Sequence, residues 1–510
     1  MARNVLFILS DQHNADLLGC AGHAQVRTPN LDRLAGQSVR CTRAVPQSPI
    51  CTPSRISYLS GQYCHNHGYY GLGGPRPAGL GTFLGHFRRA GWRTGAFGKI
   101  HCPEYWIEDD CDEFAEVTPA CSIGGAPEYT AYLQQLGLLD ERDDERLPEA
   151  AGRFQPLDAR PSRLDYQHTP EAWTVRRTIE FIERSVQAGR DFCAHASMVR
   201  PHQLYTPSQP FWSMYHDVDL QLPPNADYDL AEAGKAPHLI AKATEQRKGD
   251  WAIFEPKTFE AARMRKLQGY LGCVSQVDHA VGELLDYLDS AGLADDTIVF
   301  YGSDHGEYVC QHGIMEKAPG ICADAVCRVP FFFRAPGLGR GKTVDHLVEA
   351  VDVSATLCSL AGLEPMETSD GCDLGALLSG ESDEPVHDVA VTEGPWSKSV
   401  RTERWRLVYY PHRFFAEQYP EGFGELYDLE NDPLEMRNLF FQPEMAEIRC
   451  DMMRRLTDWL VTTTRPVTVL PHAKFHGPGC VTRFGDTVAA DGKISAQRVE
   501  AARLKTSYYI

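Results

Sequence analysis

Polar residues follow predicted buried strands at distant points of the chain, and this arrangement is the strongest constraint on the fold. The run from Asn4 to Ser10 is almost wholly apolar and is followed by Asp11. The run Thr297 to Tyr301 is likewise followed, three residues later, by Asp304. Strands buried on both faces read as continuous apolar runs, and parallel strands bring their carboxyl ends to one edge. The pattern therefore predicts a parallel sheet with a polar site along that edge.

Strands alternate with helices over most of the chain, which predicts an α/β fold. We expect a large, mostly parallel sheet sandwiched by helices in a catalytic domain over residues 1–385. Short strands separated by polar turns then predict a small antiparallel sheet plus a helix, a subdomain over residues 386–465. Residues 466–510 form a predicted tail, either an oligomer arm or a loosely packed terminus. The acidic stretch 103–166, interrupted by Pro and Gly, predicts substrate-pocket loops outside the core.

Composition excludes several classes of function. The formal net charge of −19 argues against nucleic-acid or anionic-membrane partners, which need a basic surface. No apolar run is long enough to cross a bilayer, and the few residues before the first strand cannot form a signal peptide, so we predict a cytoplasmic protein. The 16 cysteines include no Cys-x-x-Cys pair, which indicates reduced thiols rather than a zinc or iron–sulfur site. An anionic substrate would have to meet a local cluster of basic residues.

The pentapeptide Cys51-Thr52-Pro53-Ser54-Arg55 is the most specific motif. Four fixed residue types would match by chance roughly once per hundred thousand positions, given about 5% usage for each type. The next residues predict a helix that continues from Arg55, so Cys51 is expected at or near a helix N-terminus, where an anion is favoured. The alternative is a buried free cysteine at a helix start.

Asp11, Asp304 and His305 supply two carboxylates and an imidazole at strand ends. Such an oxygen-rich set suits Ca²⁺, Mg²⁺ or Mn²⁺ better than zinc. Taken singly, each of these residues is more often a helix cap or turn residue. If the sheet is parallel, they converge with the Cys51 loop and with Lys99 and His101, which follow another short strand, in one crevice.

These motifs together resemble a type I, formylglycine-dependent sulfatase of the alkaline-phosphatase superfamily. The resemblance covers most of the chain except the tail. It is carried by the following segments: Thr28 to Leu34, Cys51 to Arg55, Gly98 to His101, Pro201-His202, Ser303 to Glu307, Lys317, Glu425 to Leu429 and Asp432 to Glu435.

The resemblance implies a nucleophile and a metal site. A maturation enzyme would oxidise Cys51 to formylglycine, and one hydroxyl of the hydrated aldehyde would attack sulfur. Arg55 would hold that hydrate and offset its charge. Asp11, Asp304 and His305 would bind one divalent cation together with an oxygen of the modified Cys51. Ca²⁺ is the expected ion, with Mn²⁺ or Mg²⁺ as alternatives.

The resemblance also implies how the sulfate is held and released. Lys99 and Lys317 would neutralise the sulfate oxygens. His202 would protonate the leaving alcohol, and His101 would take a proton from the second hydroxyl, which expels sulfate and restores the aldehyde. The substrate would be a small-molecule or glycan sulfate ester. The tail and the resemblance together suggest a homo-oligomer.

The metal-site pattern departs from that of many sulfatases. Asp11 is followed by Gln12, where a second acid is common, and Asp304 is followed by His305, where Asn is common. This variant resembles the choline sulfatase and phosphonate monoester hydrolase branches, and it leaves open whether Gln12 binds the metal. A phosphonate monoester or phosphodiester hydrolase is therefore the second hypothesis, although Lys99 and His101 favour sulfate esters. A non-catalytic binding protein with unmodified Cys51 is the remote third.

Overall fold

The computed structural model describes residues 3–77, 79–117, 127–142, 159–248, 258–317 and 322–465. The strands are β1 Asn4–Asp11, β2 Val39–Val45, β3 Arg93–Gly98, β4 Glu113–Glu116, β5 Phe192–Pro201, β6 Thr297–Ser303, β7 Phe331–Arg334, β8 Lys342–Glu349, β9 Ala390–Glu393, β10 Lys398–Arg401, β11 Trp405–Tyr409 and β12 Gly424–Asp428. The α-helices are α1 Pro29–Gln37, α2 Cys51–Ser60, α3 Cys64–His67, α4 Phe83–Arg89, α5 Pro127–Gln135, α6 Pro170–Gln187, α7 Pro237–Arg247, α8 Phe259–Ser290, α9 Asp324–Cys327, α10 Asp352–Leu360, α11 Gly375–Ser379 and α12 Ala446–Thr463.

The large sheet has eight strands in the order β4-β3-β5-β1-β6-β7-β2-β8. The first five in this order run parallel, and β7 is antiparallel to both of its neighbours. The order confirms the predicted α/β fold with a mostly parallel sheet. It also places β1, which carries Asp11, at the centre between β5 and β6.

Helices cover both faces of this sheet, which explains why β1 has no polar face. Val5 and Phe7 belong to one core cluster, which also contains residues of α4 and α10. Leu6 and Ile8 belong to a second cluster, which contains residues of α6 and α8. Because successive side chains of a strand point to opposite faces, a strand packed on both sides needs an apolar residue at every position.

The small sheet is antiparallel, in the order β12-β11-β10-β9, and it confirms the second predicted sheet. Both sheets lie in a compact unit from Met1 to Gln442, and a second unit, Pro443–Ile510, contains α12, the helix expected near the end of the small subdomain. The domain boundary at residue 385 remains a prediction. Residues 466–510, with the predicted oligomer arm, lie outside the described residues. No helix in the described part of the chain is long and apolar enough to cross a membrane.

Strand β4 corrects the expectation for the acidic stretch. Residues 103–166 were expected to lie outside the core, yet Glu113–Glu116 pairs in parallel with β3 and forms an edge of the large sheet. The strand has four residues and two of them are Glu, so it leaves no apolar run in the sequence. Residues 118–126 and 143–158, where the rest of the predicted pocket loops fall, lie outside the described residues.

Candidate active site

The carboxyl ends of four neighbouring parallel strands deliver polar residues to one edge of the large sheet. Asp11 is the last residue of β1, and Lys99 follows β3 directly. His202 follows β5, and Asp304 follows β6. A common edge is the usual location of ligand sites in open α/β sheets.

Helix α2 begins at Cys51, with Ile50 as its N-cap residue, and all ten of its residues are buried. The first turn of a helix carries unpaired N–H groups and a partial positive charge, which favour an anion. Burial by itself raises the pKa of the Cys51 thiol, but Lys317, His305 and Lys99 outweigh the effect of burial, and the net pKa is lowered. The surroundings of Cys51 are therefore electropositive.

Arg55, one helical turn after Cys51, donates hydrogen bonds to four other residues of the site. Its Nε donates to Asp304 Oδ2 at 2.8 Å and its Nη2 to Asp11 Oδ2 at 3.0 Å. Nη1 donates to Ser197 Oγ at 2.8 Å and to the Lys99 carbonyl. Burial alone lowers the pKa of the guanidinium, but Asp304 and Asp11 reverse this and raise it. Arg55 is thus a permanent cation that is paired with both carboxylates in a fully buried position.

The orphaned atoms of Asp11 and His305 fit a divalent cation. Asp11 Oδ2 accepts from Arg55 and from Lys99 Nζ at 2.6 Å, but Oδ1 has no hydrogen-bond partner among the described residues. His305 Nδ1 donates to the Gly306 carbonyl at 2.9 Å, so the lone pair lies on Nε2, which also has no partner in the described structure. That Nε2 lies 3.8 Å from Asp11 Oδ1 and 3.7 Å from Asp304 Oδ1. Buried polar atoms are seldom left unpaired, and a cation among these three would satisfy them.

Asp11 remains charged in this environment. Burial would raise the pKa of its carboxyl, but Lys99, His202 and Arg55 together hold the pKa well below its usual value. The backbone N–H groups of Gln12 and His305 donate to Asp304 Oδ1 at 3.0 and 2.9 Å. Both carboxylates are therefore held in fixed positions by charge-assisted hydrogen bonds.

His101 is arranged as a neutral base. The Thr52 hydroxyl donates to the His101 carbonyl at 3.0 Å, and its oxygen accepts from His101 Nδ1, 3.3 Å away. This assignment leaves the lone pair on Nε2, which is buried and unpartnered within the described residues. Burial, Lys99 and Arg55 lower the pKa of His101 to about 3. The backbone at His101 has φ +60°, and its N–H donates to Glu116 Oε2 at 3.1 Å.

His202 and Lys317 complete the basic side of the site. His202 Nδ1 donates to the Gln203 carbonyl at 2.6 Å, which leaves Nε2 as its reactive nitrogen. Removal from solvent, Lys99 and Lys317 lower the pKa of His202 well below its usual value. Lys317 Nζ donates to Gln12 Oε1 at 2.8 Å. Burial alone would lower the pKa of Lys317, but Cys51 and Asp11 outweigh the effect of burial and raise that pKa.

The structure brings all of the residues predicted from the sequence to one edge of the sheet. They are Asp11, Cys51, Arg55, Lys99, His101, His202, Asp304, His305 and Lys317. Four residues that position them were not predicted, namely Glu116, Ser197, Gln203 and Glu307. Glu307 lies in the Ser303 to Glu307 motif, which was the one available signal. The other three are single polar residues without a local pattern.

Comparison with known proteins decides the family. The sulfatase family model matches residues 3–363, and a model described as N-sulphoglucosamine sulphohydrolase, C-terminal, matches residues 311–461. The chain belongs to the sulfatase family. This confirms the resemblance seen in the motifs, and the protein is an enzyme of the sulfuric ester hydrolase class.

Relatives in this family align over most of their length. An arylsulfatase of Clostridium perfringens is 27% identical over 483 residues, which cover 89% of this chain and 94% of the relative. A choline-sulfatase of Rhizobium meliloti is 28% identical over 457 residues, which cover 86% of this chain and 83% of the relative. The crystal structure of a phosphonate monoester hydrolase of Agrobacterium radiobacter superposes with a TM-score of 0.74 at 24% identity, over 92% of this chain and 98% of that one. The last similarity establishes the shared fold.

Proposed function

We propose that this sulfatase-family enzyme hydrolyses a sulfate monoester through a formylglycine made from Cys51, with one divalent cation held by Asp11, Asp304 and His305. The observation that carries the proposal is the position of Cys51. It lies in the first turn of α2, where Lys317, His305 and Lys99 outweigh the effect of burial and lower the pKa of its thiol. An enzyme that converts Cys51 to formylglycine is the partner that this function requires.

The cation, when bound, supplies positive charge that offsets the negative charge developing at the nucleophile. Two carboxylates and one imidazole make an oxygen-rich donor set, which favours Ca²⁺, with Mn²⁺ or Mg²⁺ as alternatives. Arg55 holds both carboxylates in place through its Nε and Nη2. Its predicted contact with the hydrated aldehyde remains part of the proposal.

In the first half of the reaction, one hydroxyl of the hydrated formylglycine loses its proton to water and its oxygen attacks sulfur, as the bond from sulfur to the ester oxygen breaks. Lys99 and Lys317 bind the sulfate oxygens and offset their charge. The alcohol oxygen leaves with the proton of His202 Nε2. Burial, Lys99 and Lys317 lower the pKa of His202, and a bound sulfate opposes the field of the two lysines and raises that pKa.

In the second half, His101 Nε2 takes the proton of the remaining hydroxyl. The carbon–oxygen bond to sulfate then breaks, the aldehyde C=O forms again, and sulfate leaves. His101 suits this step because its neutral ring presents a lone pair at any pH well above about 3. Serine or cysteine at this position would have no second hydroxyl and could not release sulfate in this way.

A phosphonate monoester or phosphodiester hydrolase is the second candidate function. The pairs Asp11-Gln12 and Asp304-His305, and the fold shared with a phosphonate monoester hydrolase, favour it. Lys99 and His101 favour sulfate, because the phosphonate monoester hydrolases that the motifs resemble have neutral residues at these two positions. The remote third hypothesis, a non-catalytic binding protein with unmodified Cys51, does not agree with membership of the sulfatase family.

Substrate comparison tests the proposal. The full chain, produced together with a formylglycine-generating enzyme and loaded with Ca²⁺, is assayed with an aryl sulfate and an aryl phosphonate monoester. We expect the larger kcat/KM for the sulfate; a larger value for the phosphonate supports the second function instead. Cys51→Ser is the matched control, because it keeps a hydroxyl but lacks the second one. It should release one equivalent of alcohol and then stop, with sulfate bound to the chain.

Two further statements remain predictions from the sequence. They are homo-oligomerisation, in which residues 466–510 would form an arm, and a cytoplasmic location. Sedimentation of the full chain against a chain ending at residue 465 tests the first. An unchanged number of chains per particle after truncation would exclude the tail as an oligomer arm.

A further inference from the structure

The loop that carries His202 is closed by the side chain of Arg200, near the end of β5. Arg200 Nη2 and Nε donate to the Thr206 carbonyl at 2.7 and 3.2 Å. Between these two residues lie Pro201 to Tyr205, which we call the His202 loop. The Arg200 side chain is buried, with 6% of its surface exposed. One buried guanidinium therefore joins the two ends of the His202 loop.

Glu171, in the first turn of α6, fixes both the backbone and the side chain of Arg200. Its Oε1 accepts from the Arg200 backbone N–H at 3.1 Å, and its Oε2 accepts from Arg200 Nη1 at 2.6 Å. The Glu171 side chain has no exposed surface. Hydrogen bonds between ionised partners are about twice as strong as those between neutral ones. The residue from which the His202 loop begins is thus held in one position.

Gln276, in α8, extends these hydrogen bonds beyond the other end of the loop. Its Nε2 donates to Glu171 Oε2 at 2.7 Å. Its Oε1 accepts from the backbone N–H and the hydroxyl of Ser208 at 2.8 and 3.0 Å. Helices α6 and α8 contribute to the same hydrophobic core cluster. The His202 loop is therefore bonded at both ends to residues of two packed helices.

The task proposed for His202 depends on the position of this loop. A general acid must bring its nitrogen to within about 2.6–3.2 Å of the oxygen that it protonates. A displacement of about 1 Å can lower the rate about 100-fold. The bond from His202 Nδ1 to the Gln203 carbonyl lies within the loop, so it orients the ring only relative to the loop. The bonds of Arg200 and Glu171 fix the loop itself.

We propose that Arg200 and Glu171 are positioning residues that hold the His202 loop so that His202 Nε2 meets the leaving oxygen of the ester. The inference rests on the proposed function, in which His202 is the acid. A weakly basic phenolate leaves without a proton, whereas a strongly basic alkoxide or phenolate needs one. Arg200 and Glu171 therefore matter most for sulfate esters of strongly basic leaving groups.

Arg200→Lys tests the proposal, because lysine keeps the positive charge beside Glu171 but cannot reproduce the separate contacts of a guanidinium. It is compared with His202→Ala and with the double variant. Glu171→Gln, which keeps the shape of the side chain, is the second variant. The matched control is Arg177→Lys on the half-exposed surface of α6, where Arg177 Nη1 donates to Glu180 Oε2 at 2.7 Å.

The substrates are phenyl sulfate and 4-nitrophenyl sulfate, whose phenolates differ mainly in basicity. The full chain carries formylglycine and Ca²⁺ in every variant, and both contents are measured before the assay. The quantity compared is kcat/KM, because it reports the steps up to release of the phenol and is independent of the later release of sulfate. A disturbance of the whole fold would lower kcat/KM for both substrates by the same factor.

We expect Arg200→Lys to lower kcat/KM for phenyl sulfate roughly 10- to 100-fold, within the contribution of a general acid. For 4-nitrophenyl sulfate the loss should be no more than about threefold, and His202→Ala should show the same preference. The double variant should lie within about threefold of His202→Ala for both substrates, because the residues act as one unit. Arg177→Lys should match the unaltered chain.

Equal losses for the two substrates in Arg200→Lys would overturn the proposal, as would losses that multiply in the double variant. If Arg200→Lys does not fold, the same comparison in Glu171→Gln decides. The proposed function fails in a different way. Equal losses in His202→Ala would refute its acid step, and an unaltered chain that carries formylglycine but hydrolyses neither ester would refute it as a whole.

Discussion

Replacing Arg55 by methionine removes a cation that contacts both carboxylates of the proposed metal site. The change deletes ion pairs of 2.8 Å to Asp304 and 3.0 Å to Asp11, in positions with no exposed side-chain surface. Leaving a buried charge without its partner costs about 3–5 kcal/mol. We expect one such cost rather than two, because Asp11 keeps Lys99 and Asp304 keeps the backbone N–H groups of Gln12 and His305.

The expected change is measurable as a shift in Tm. Unfolding entropy is about 2.1 cal/mol/K per residue. For the compact unit that ends at Gln442, about 1 kcal/mol therefore corresponds to about 1 °C, and we expect Arg55→Met to lower Tm by about 3–5 °C in calcium-free buffer. Differential scanning calorimetry at one scan rate provides the comparison.

The control is Arg340→Met, which breaks an exposed ion pair. Arg340 Nη2 lies 3.7 Å from Asp295 Oδ1, and the two side chains are 75% and 96% exposed. Exposed pairs contribute about 0–1 kcal/mol, so its Tm should stay within about 1 °C. Arg55→Lys should recover only part of the loss, because one ammonium cannot make the separate contacts of a guanidinium. An Arg55→Met protein as stable as the unaltered chain would refute the charge balance described for this site.

Three further perturbations have defined outcomes. His101→Ala should retain the first half of the reaction but accumulate sulfated protein, detectable by intact mass spectrometry; absence of the adduct with steady turnover would contradict the role of His101. Burial alone lowers the pKa of His387, but Asp352, 2.8 Å from its Nε2, raises it to about 9. The stability that the charged imidazole of His387 contributes is complete below about pH 6.5 and is lost as the pH rises through 9. The Tm difference between the unaltered chain and His387→Gln should therefore shrink over that interval. A Tm difference that stays constant would contradict the role of this ion pair. Gly98→Ala should fold poorly or lose activity, because Gly98 has φ +102° and an added Cβ would lie 1.9 Å from the Ser197 carbonyl oxygen; normal Tm and activity would contradict this.

The sequence predicts the parts of this fold in which local pattern and tertiary position agree. Strand β1 is apolar at nearly every position because helices cover both faces of the sheet, so both the strand and the polar residue at its end are visible in the sequence. Edge strands lack that signal. Strand β4 contains two Glu residues, and β8 is largely exposed over its first half, so neither forms an apolar run. The antiparallel direction of β7 also has no local pattern, because it depends on which neighbours the strand meets.

In the site too, the sequence predicts some features and not others. Cys51 and Arg55 lie in a short motif, and Asp11 and Asp304 lie at strand ends, so all four could be predicted. The bonds that orient them could not be, because they join residues far apart in the chain. Gln12 and Lys317 are 305 positions apart, and no local pattern in the sequence indicates the hydrogen bond between their side chains.

The central claim, that Cys51 acts as formylglycine, is tested most directly by peptide mass spectrometry on the same preparation whose active fraction is measured. The account predicts an aldehyde at Cys51 in a fraction of molecules equal to the active fraction, and loss of turnover in proportion when a hydroxylamine reagent blocks that aldehyde. Full sulfatase activity in protein whose Cys51 is entirely free thiol would contradict it.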